Sequence, residues 1–206
     1  MTPLGTPHLG YDIEEMDILP STQELYASAG DDPDVGYEKG YLYRVNKTTG
    51  ELTPVCGTGL GEVSAMSFHP HSQELWVWAD NKGLFIIDIN QIEAGTCHKI
   101  EVLPHTAKVE GMTWDNEGKI LYGSAGTVLY QYLTDTGTVD KACNTFPSEV
   151  EALDMLADGS LLFALHQAKD TRIHSFDIKT CAVTDEAPIE THYGDIEGIT
   201  WACDAK

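Results

Sequence analysis

Val109-Glu110-Gly111-Met112-Thr113-Trp114 decides the fold, because close variants of it occur four more times in the chain. They are Ile13-Glu14-Glu15-Met16-Asp17-Ile18, Val63-Ser64-Ala65-Met66-Ser67-Phe68, Val150-Glu151-Ala152-Leu153-Asp154-Met155 and Ile196-Glu197-Gly198-Ile199-Thr200-Trp201. Their first residues are separated by 50, 46, 41 and 46 positions. Self-similarity at that period signals stacked sheets or arrays rather than one irregular domain.

Working outward from each motif, three further short apolar runs follow before the next motif begins. In the first repeat they are Glu24 to Ala29, Tyr41 to Val45 and Leu52 to Cys56; in the second, Glu74 to Trp78, Leu84 to Ile87 and Lys99 to Val102. The third gives Ile120 to Tyr122, Val128 to Tyr132 and a weaker run near Thr138-Val139; the fourth gives Leu161 to Leu165, Arg172 to Phe176 and Ala182 to Thr184. Runs of this length, rich in aromatic and β-branched residues and bounded by Gly, Pro, Asn or Asp, read as strands. Turns such as Pro20-Ser21-Thr22, Pro70-His71-Ser72, Asp115-Asn116-Glu117-Gly118 and Ala157-Asp158-Gly159-Ser160 suit tight hairpins between the first and second runs.

Four antiparallel strands in about 45 residues form the unit of a β-propeller blade. The expectation is therefore an all-β, β-propeller-like single domain over residues 1–206, with four complete four-stranded repeats at about 13–62, 63–108, 109–149 and 150–195 and an extra inner strand at 196–203. Residues before Ile13, ending in Pro7-His8-Leu9-Gly10-Tyr11-Asp12, match the approach Thr191-His192-Tyr193-Gly194-Asp195 to the last motif. A ring must satisfy its edge strands. Three closures stay open: the last strand pads the ring, the chain is an arc of a larger propeller, or a second copy self-associates through the open blade edge.

The stretch Leu42-Tyr43-Arg44-Val45-Asn46-Lys47-Thr48-Thr49-Gly50-Glu51-Leu52-Thr53-Pro54-Val55 resembles the LYxIdxxTGxLtxVG pattern of bacterial extracellular propeller repeats. This resemblance runs through most of the chain and implies the fold, with a secreted or cell-surface setting. Val109 to Trp114 followed by Gly118-Lys119-Ile120-Leu121-Tyr122 is similar to the opening of the gluconolactonase and senescence-marker propellers, with Met112 or Ile199 where that family has proline after Glu-Gly. This second likeness covers one strand pair and implies a metal-dependent lactonase-like hydrolase.

Twelve basic residues against 33 acidic ones leave a formal charge of −21. Such a charge repels nucleic-acid phosphates and anionic lipid and favours cations or basic partners, or serves solubility alone. No run of about 18 apolar residues is present, so no membrane span is expected. The start Met1-Thr2-Pro3-Leu4-Gly5 lacks the basic and apolar regions of a signal peptide, as a processed secreted protein would too. Cys56, Cys97, Cys143, Cys181 and Cys203 form no CxxC pair, which disfavours a zinc knuckle. The first four follow the third run of their repeats, on or near outer strands, where disulfides are allowed and not required.

Chemistry concentrates in the second position of the motif. Side chains alternate along a strand, so Glu110, Met112 and Trp114 share one face. If the motif strands line a central channel, Glu14, Glu110, Glu151 and Glu197 stand at one level, with Ser64 interrupting the series. Such oxygens either bond backbone amides of the next blade as a repeated latch or hold a hard divalent cation, Ca²⁺ or Mg²⁺. Asp31, Asp32, Asp34 and Glu38, with Gly30 and Gly36 allowing sharp turns, either supply a second set of oxygens without the EF-hand order or form a solvated acidic loop. His69-Pro70-His71 reads as a blade turn or as a contributor to a metal site. HExxH, GxSxG, Walker and GxGxxG patterns are absent from the sequence. Rim aromatics among Tyr41, Tyr43, Trp76, Trp78, Tyr130 and Tyr132 would provide a carbohydrate- or peptide-binding platform.

The sequence thus points to a non-enzymatic binding or scaffold module of a secreted or cell-surface protein, with a divalent cation near the propeller axis. The competing reading is a lactonase-like hydrolase in which Glu110 or Glu14 helps hold a cation that polarises a carbonyl or activates water.

Overall fold

A computed structural model describes residues 5, 8, 10–144, 146–166, 171–184, 189–190 and 196–201. Cys203, the approach 191–195 and the end of the fifth repeat segment at 202–203 lie outside the described residues. The chain divides into two compact units, Met1–Lys108 and Val109–Lys206, and this division coincides with the boundary between the second and third repeats.

The fold is all-β and propeller-like. The first unit begins with β1 (Ile13–Leu19), β2 (Glu24–Ala29), β3 (Tyr41–Val45) and β4 (Leu52–Gly57), each pairing antiparallel with the next. The second repeat forms β5 (Ala65–Phe68), β6 (Leu75–Ala79), β7 (Gly83–Glu93) and β8 (Thr96–Pro104) in the same meander. The third and fourth hairpin strands of this blade exceed the expected runs, and they join the outer edges of both blades: Gly57 pairs in parallel with Thr96. Eight strands in the order β1-β2-β3-β4-β8-β7-β6-β5 result.

The second unit repeats the plan with β9 (Gly111–Trp114), β10 (Ile120–Ala125), β11 (Val128–Leu133) and β12 (Thr138–Cys143), followed by β13 (Val150–Met155), β14 (Leu161–Leu165), β15 (Arg172–Asp177) and β16 (Ala182–Val183). The weak run at Thr138-Val139 is a full strand, held by pairing of Leu133 with Thr138 through Leu129 with Cys143. A short β17 (Ile189–Glu190) also pairs with β15. Residues 196–201 have no regular secondary structure.

Two of the motif strands are buried on both faces, every residue of β5 and of β9 being buried, while β1 and β13 are partly half-buried. Within the first unit a core of Leu42, Val63, Met66, Leu75, Ile87 and their neighbours fills the space between its two blades. In the second unit Leu129, Leu153, Leu161, Phe163 and Phe176 do the same. Transfer of such side chains from water stabilises each unit by about 1.5–3 kcal/mol per fully buried large residue.

Disulfides reinforce both cores. Cys56 on β4 bonds Cys97 on β8, and Cys143 on β12 bonds Cys181 just before β16. Each bridge therefore staples the outer strands of two successive blades. The remaining cysteine is Cys203.

The turns between first and second strands are built alike. Pro20-Ser21-Thr22-Gln23-Glu24 and Pro70-His71-Ser72-Gln73-Glu74 both place their glutamine in the left-handed region, at φ 59° and 65°. Each glutamine amide then donates to the proline carbonyl three residues back, at 3.0 and 2.9 Å. The Gln73 side-chain oxygen also accepts the Ser21 N–H at 2.7 Å, tying the two turns together. His69 is a turn residue here: its Nδ1 accepts the N–H groups of His71 and Ser72 at 3.2 and 3.0 Å.

Candidate functional site

Glu14 and Glu151 occupy the same special place in their blades. The register of β1 against β2 shifts between Ile13 and Glu15, and that of β13 against β14 shifts between Val150 and Ala152, so each glutamate is the extra residue of a β-bulge. Bulges re-aim a side chain out of the strand alternation. Glu15, next to Glu14, is fully buried, and its Oε1 accepts the Met16 N–H at 3.0 Å.

In the first unit the bulge brings acids together. A Cβ on Gly30 would collide with the Glu14 carboxylate and stand 2.6 Å from Asp12 Oδ2, so both carboxylates converge on the space that Gly30 leaves. Asp12 Oδ2 accepts the Asp32 N–H at 2.7 Å, which seats the start of the acidic insertion. Asp31, Asp32 and Asp34 are themselves exposed. Nearby, half-buried Glu62 has its pKa pushed up, first by burial and then by Asp80; Lys108 opposes this, while Asp31 and Asp12 add to it.

The second unit holds the other three motif glutamates. The Glu110 backbone N–H donates to Ser124 O at 3.1 Å, just ahead of β9. Glu151 is buried and its Oε1 pairs with Nδ1 of exposed His166. Glu197 is half-buried in the irregular segment 196–201. Strands β9 and β13 approach so closely that a Cβ on Gly111 would stand 2.8 Å from Leu153 N and 3.0 Å from the Ala152 carbonyl carbon. Among the described residues, no group of three or more His, Cys, Asp or Glu side chains is arranged to hold a metal ion.

A latch between blades is visible at a different position of the motif, the fifth. Asp17 Oδ2 accepts the Phe68 N–H at 2.7 Å and the Ser67 hydroxyl at 3.2 Å. Asp154 makes the same two kinds of bond to two different copies, accepting the Thr113 hydroxyl of the third at 3.3 Å through Oδ1 and the Trp201 N–H of the fifth through Oδ2. Phe68 and Trp201 are both sixth residues of the motif, so the fifth copy lies against β13 as the second copy lies against β1. The sequence carried a signal for this: the fifth position is Asp17, Ser67, Thr113, Asp154 and Thr200, a short hydrogen-bonding side chain in every copy.

One end of the first blade is aromatic as well as acidic. Eleven residues, 30–40, separate β2 from β3, where three join β6 to β7 and two join β10 to β11. This insertion folds back on Gly10, whose carbonyl accepts the Asp34 N–H at 3.0 Å. Gly10 has φ 89°, and a Cβ there would be 2.9 Å from both Asp34 Oδ2 and Tyr37 Cε2; only glycine admits this backbone and this approach. Tyr37 consequently packs on Tyr11 with centroids 4.4 Å apart, and Tyr11 meets Tyr43 edge-on at 5.3 Å. Tyr41 and Tyr43 extend the cluster at 5.5 Å. Burial, then the neighbouring Tyr11, Tyr41 and Glu38, push the Tyr43 hydroxyl up to about 12, so it stays neutral at physiological pH.

No protein-family model matches the chain, and a search of curated proteins finds no match either. Solved structures do resemble it. An auxiliary nutrient binding protein from Bacteroides thetaiotaomicron superposes with a TM-score of 0.59 at 14% identity, over 91% of this chain and 44% of its own. TolB from Acinetobacter baumannii gives 0.57 at 15% identity, over 88% of this chain and 45% of its own. Hydrazine synthase from Kuenenia stuttgartiensis gives 0.53 at 15%, over 93% and 52%. At these identities the likeness establishes the propeller-type fold, and the chain spans about half the length of the structures it matches.

Proposed function

We propose that this chain is a non-enzymatic binding or scaffold module of a secreted or cell-surface protein. The observation that carries the reading is the pair of disulfides, each stapling the outer strands of successive blades. Structural disulfides persist in oxidising compartments, and a braced sheet stack is suited to presenting loops rather than to moving them. The structural likeness to a nutrient binding protein and to TolB agrees with this role; since hydrazine synthase shares the architecture, fold by itself does not decide function.

The reading includes a divalent cation, for which Asp12 and Glu14 would supply oxygens where they converge over Gly30. Calorimetric titration of chelator-treated protein with Ca²⁺ checks this part: absence of heat and of thermal stabilisation removes the cation and leaves the module. The module itself is tested by incubating the purified protein with a panel of aldonolactones, with and without Ca²⁺, beside peptide and glycan arrays. Saturable capture without turnover is expected. Metal-dependent ring opening above the uncatalysed rate would establish the hydrolase instead.

A further inference from the structure

The insertion between β2 and β3 is longer than the connection requires, since two residues suffice between β10 and β11. Its extra residues build a surface. Tyr37 is 40% exposed and Val35 fully so, and Asp34 and Glu38 are exposed beside them. Tyr11 packs against the Tyr37 ring, and the Asp34 carboxylate and that ring both close on Gly10.

We propose that Tyr37, backed by Tyr11 and flanked by Asp34 and Glu38, is the docking surface for a cationic polypeptide segment, an arginine- or lysine-bearing stretch of a partner protein. The inference rests on the binding-module reading and names its partner class. A tyrosine face carries the negative lobe of its quadrupole and attracts guanidinium or ammonium groups. Asp31, Asp32, Asp34 and Glu38 face a single base, Lys39, within the insertion, so the local charge adds to the attraction. At long range the formal charge of −21 draws a basic segment in and raises its rate of encounter. A neutral sugar would stack on the same ring without gaining from the carboxylates, which is why the cation is the favoured occupant.

The test uses a fluorescent octa-arginine peptide, a glycine-serine peptide of equal length and maltohexaose, titrated into the full chain at 0.15 M salt and followed by polarisation and by tyrosine NMR signals. Octa-arginine should bind saturably and the neutral peptide should not. Tyr37→Leu should weaken it about threefold to thirtyfold, the range of a cation–π contact. Tyr37→Phe keeps the ring face and should stay within about twofold of wild type. Asp34→Asn should weaken binding about twofold to fivefold, as for an exposed ion pair. Circular dichroism verifies that the variants remain folded.

Unchanged affinity in both Tyr37→Leu and Asp34→Asn overturns the proposal, because the peptide is then held by acidic surface elsewhere. Equal losses in Tyr37→Phe and Tyr37→Leu overturn it too, as does maltohexaose binding at Tyr37 that Asp34→Asn leaves intact. Failure of octa-arginine alongside capture of another array ligand removes this surface and keeps the module. Lactone turnover removes the module reading, and the Tyr37 titration is then judged by itself.

Discussion

Removing the bridge between the first two blades tests the stapling argument directly. The double variant Cys56→Ala/Cys97→Ala deletes a cross-link of sequence separation 41 while leaving the buried positions apolar. Loop-closure entropy for a ring of that size corresponds to about 4 kcal/mol of stability, with about 2 kcal/mol as the lower end of measured behaviour. Urea unfolding read by tryptophan fluorescence measures the loss, and hydrogen exchange should localise it to Leu52–Gly57 and Thr96–Pro104, where Gly57 and Thr96 pair. The companion variant Cys143→Ala/Cys181→Ala opens a ring of separation 38. Since the entropy depends on the logarithm of loop length, the two losses should differ by only about 0.1 kcal/mol on this term. A loss below about 1 kcal/mol in the first variant, with exchange at β4 and β8 unchanged, would mean that the bridge does not hold the two outer strands together.

Three further outcomes are expected. Asp17→Ala removes the acceptor for Phe68 N–H and the Ser67 hydroxyl and should cost about 2–3 kcal/mol in chemical denaturation, whereas Asp17→Asn, which keeps an acceptor, should cost about 1 kcal/mol. Gly111→Ala forces a methyl group against the β13 backbone and should cost about 1–3 kcal/mol by the same assay; a neutral outcome would mean that the inner strands separate freely. Glu62 has its carboxyl pKa raised in the folded state, so the folded chain holds its proton more tightly than the unfolded chain. Its contribution is most favourable below the ordinary glutamate range and is lost as pH rises through the raised value. Glu62→Gln should therefore raise the melting temperature at neutral pH and flatten its decline just above the carboxylate range; an unaltered profile in differential scanning calorimetry contradicts this.

Much of the architecture was legible because it repeats. The motif period and the turn residues between apolar runs report strand after strand, and the observed strands begin or end within a few residues of those runs. The long β7–β8 hairpin was not legible, since Asn90, Gln91, Glu93 and Gly95 near its tip are residues that loops also carry, and the parallel contact of Thr96 with Gly57 joins strands far apart in sequence. Disulfide connectivity was equally hidden: a spacing equal to the repeat places cysteines on equivalent strands without saying which two strands adjoin. At the site, charge drew attention to the motif glutamates, while the smaller Asp17, Ser67, Thr113 and Asp154, which also bond between blades, carry no such signal. The tyrosine cluster was only partly visible. Tyr41 and Tyr43 alternate along one strand, but Tyr11 and Tyr37 meet only because Gly10 lets the insertion fold over it.

The bridges also bear on how the chain matures. Cys56 bonds Cys97, and Cys143 bonds Cys181, so these four thiols pair in the order in which they occur along the chain. An oxidase that joins each newly arrived cysteine to the one waiting before it would produce the native connectivity without later reshuffling. Each closure would also tie two successive blades together before the next two cysteines had emerged.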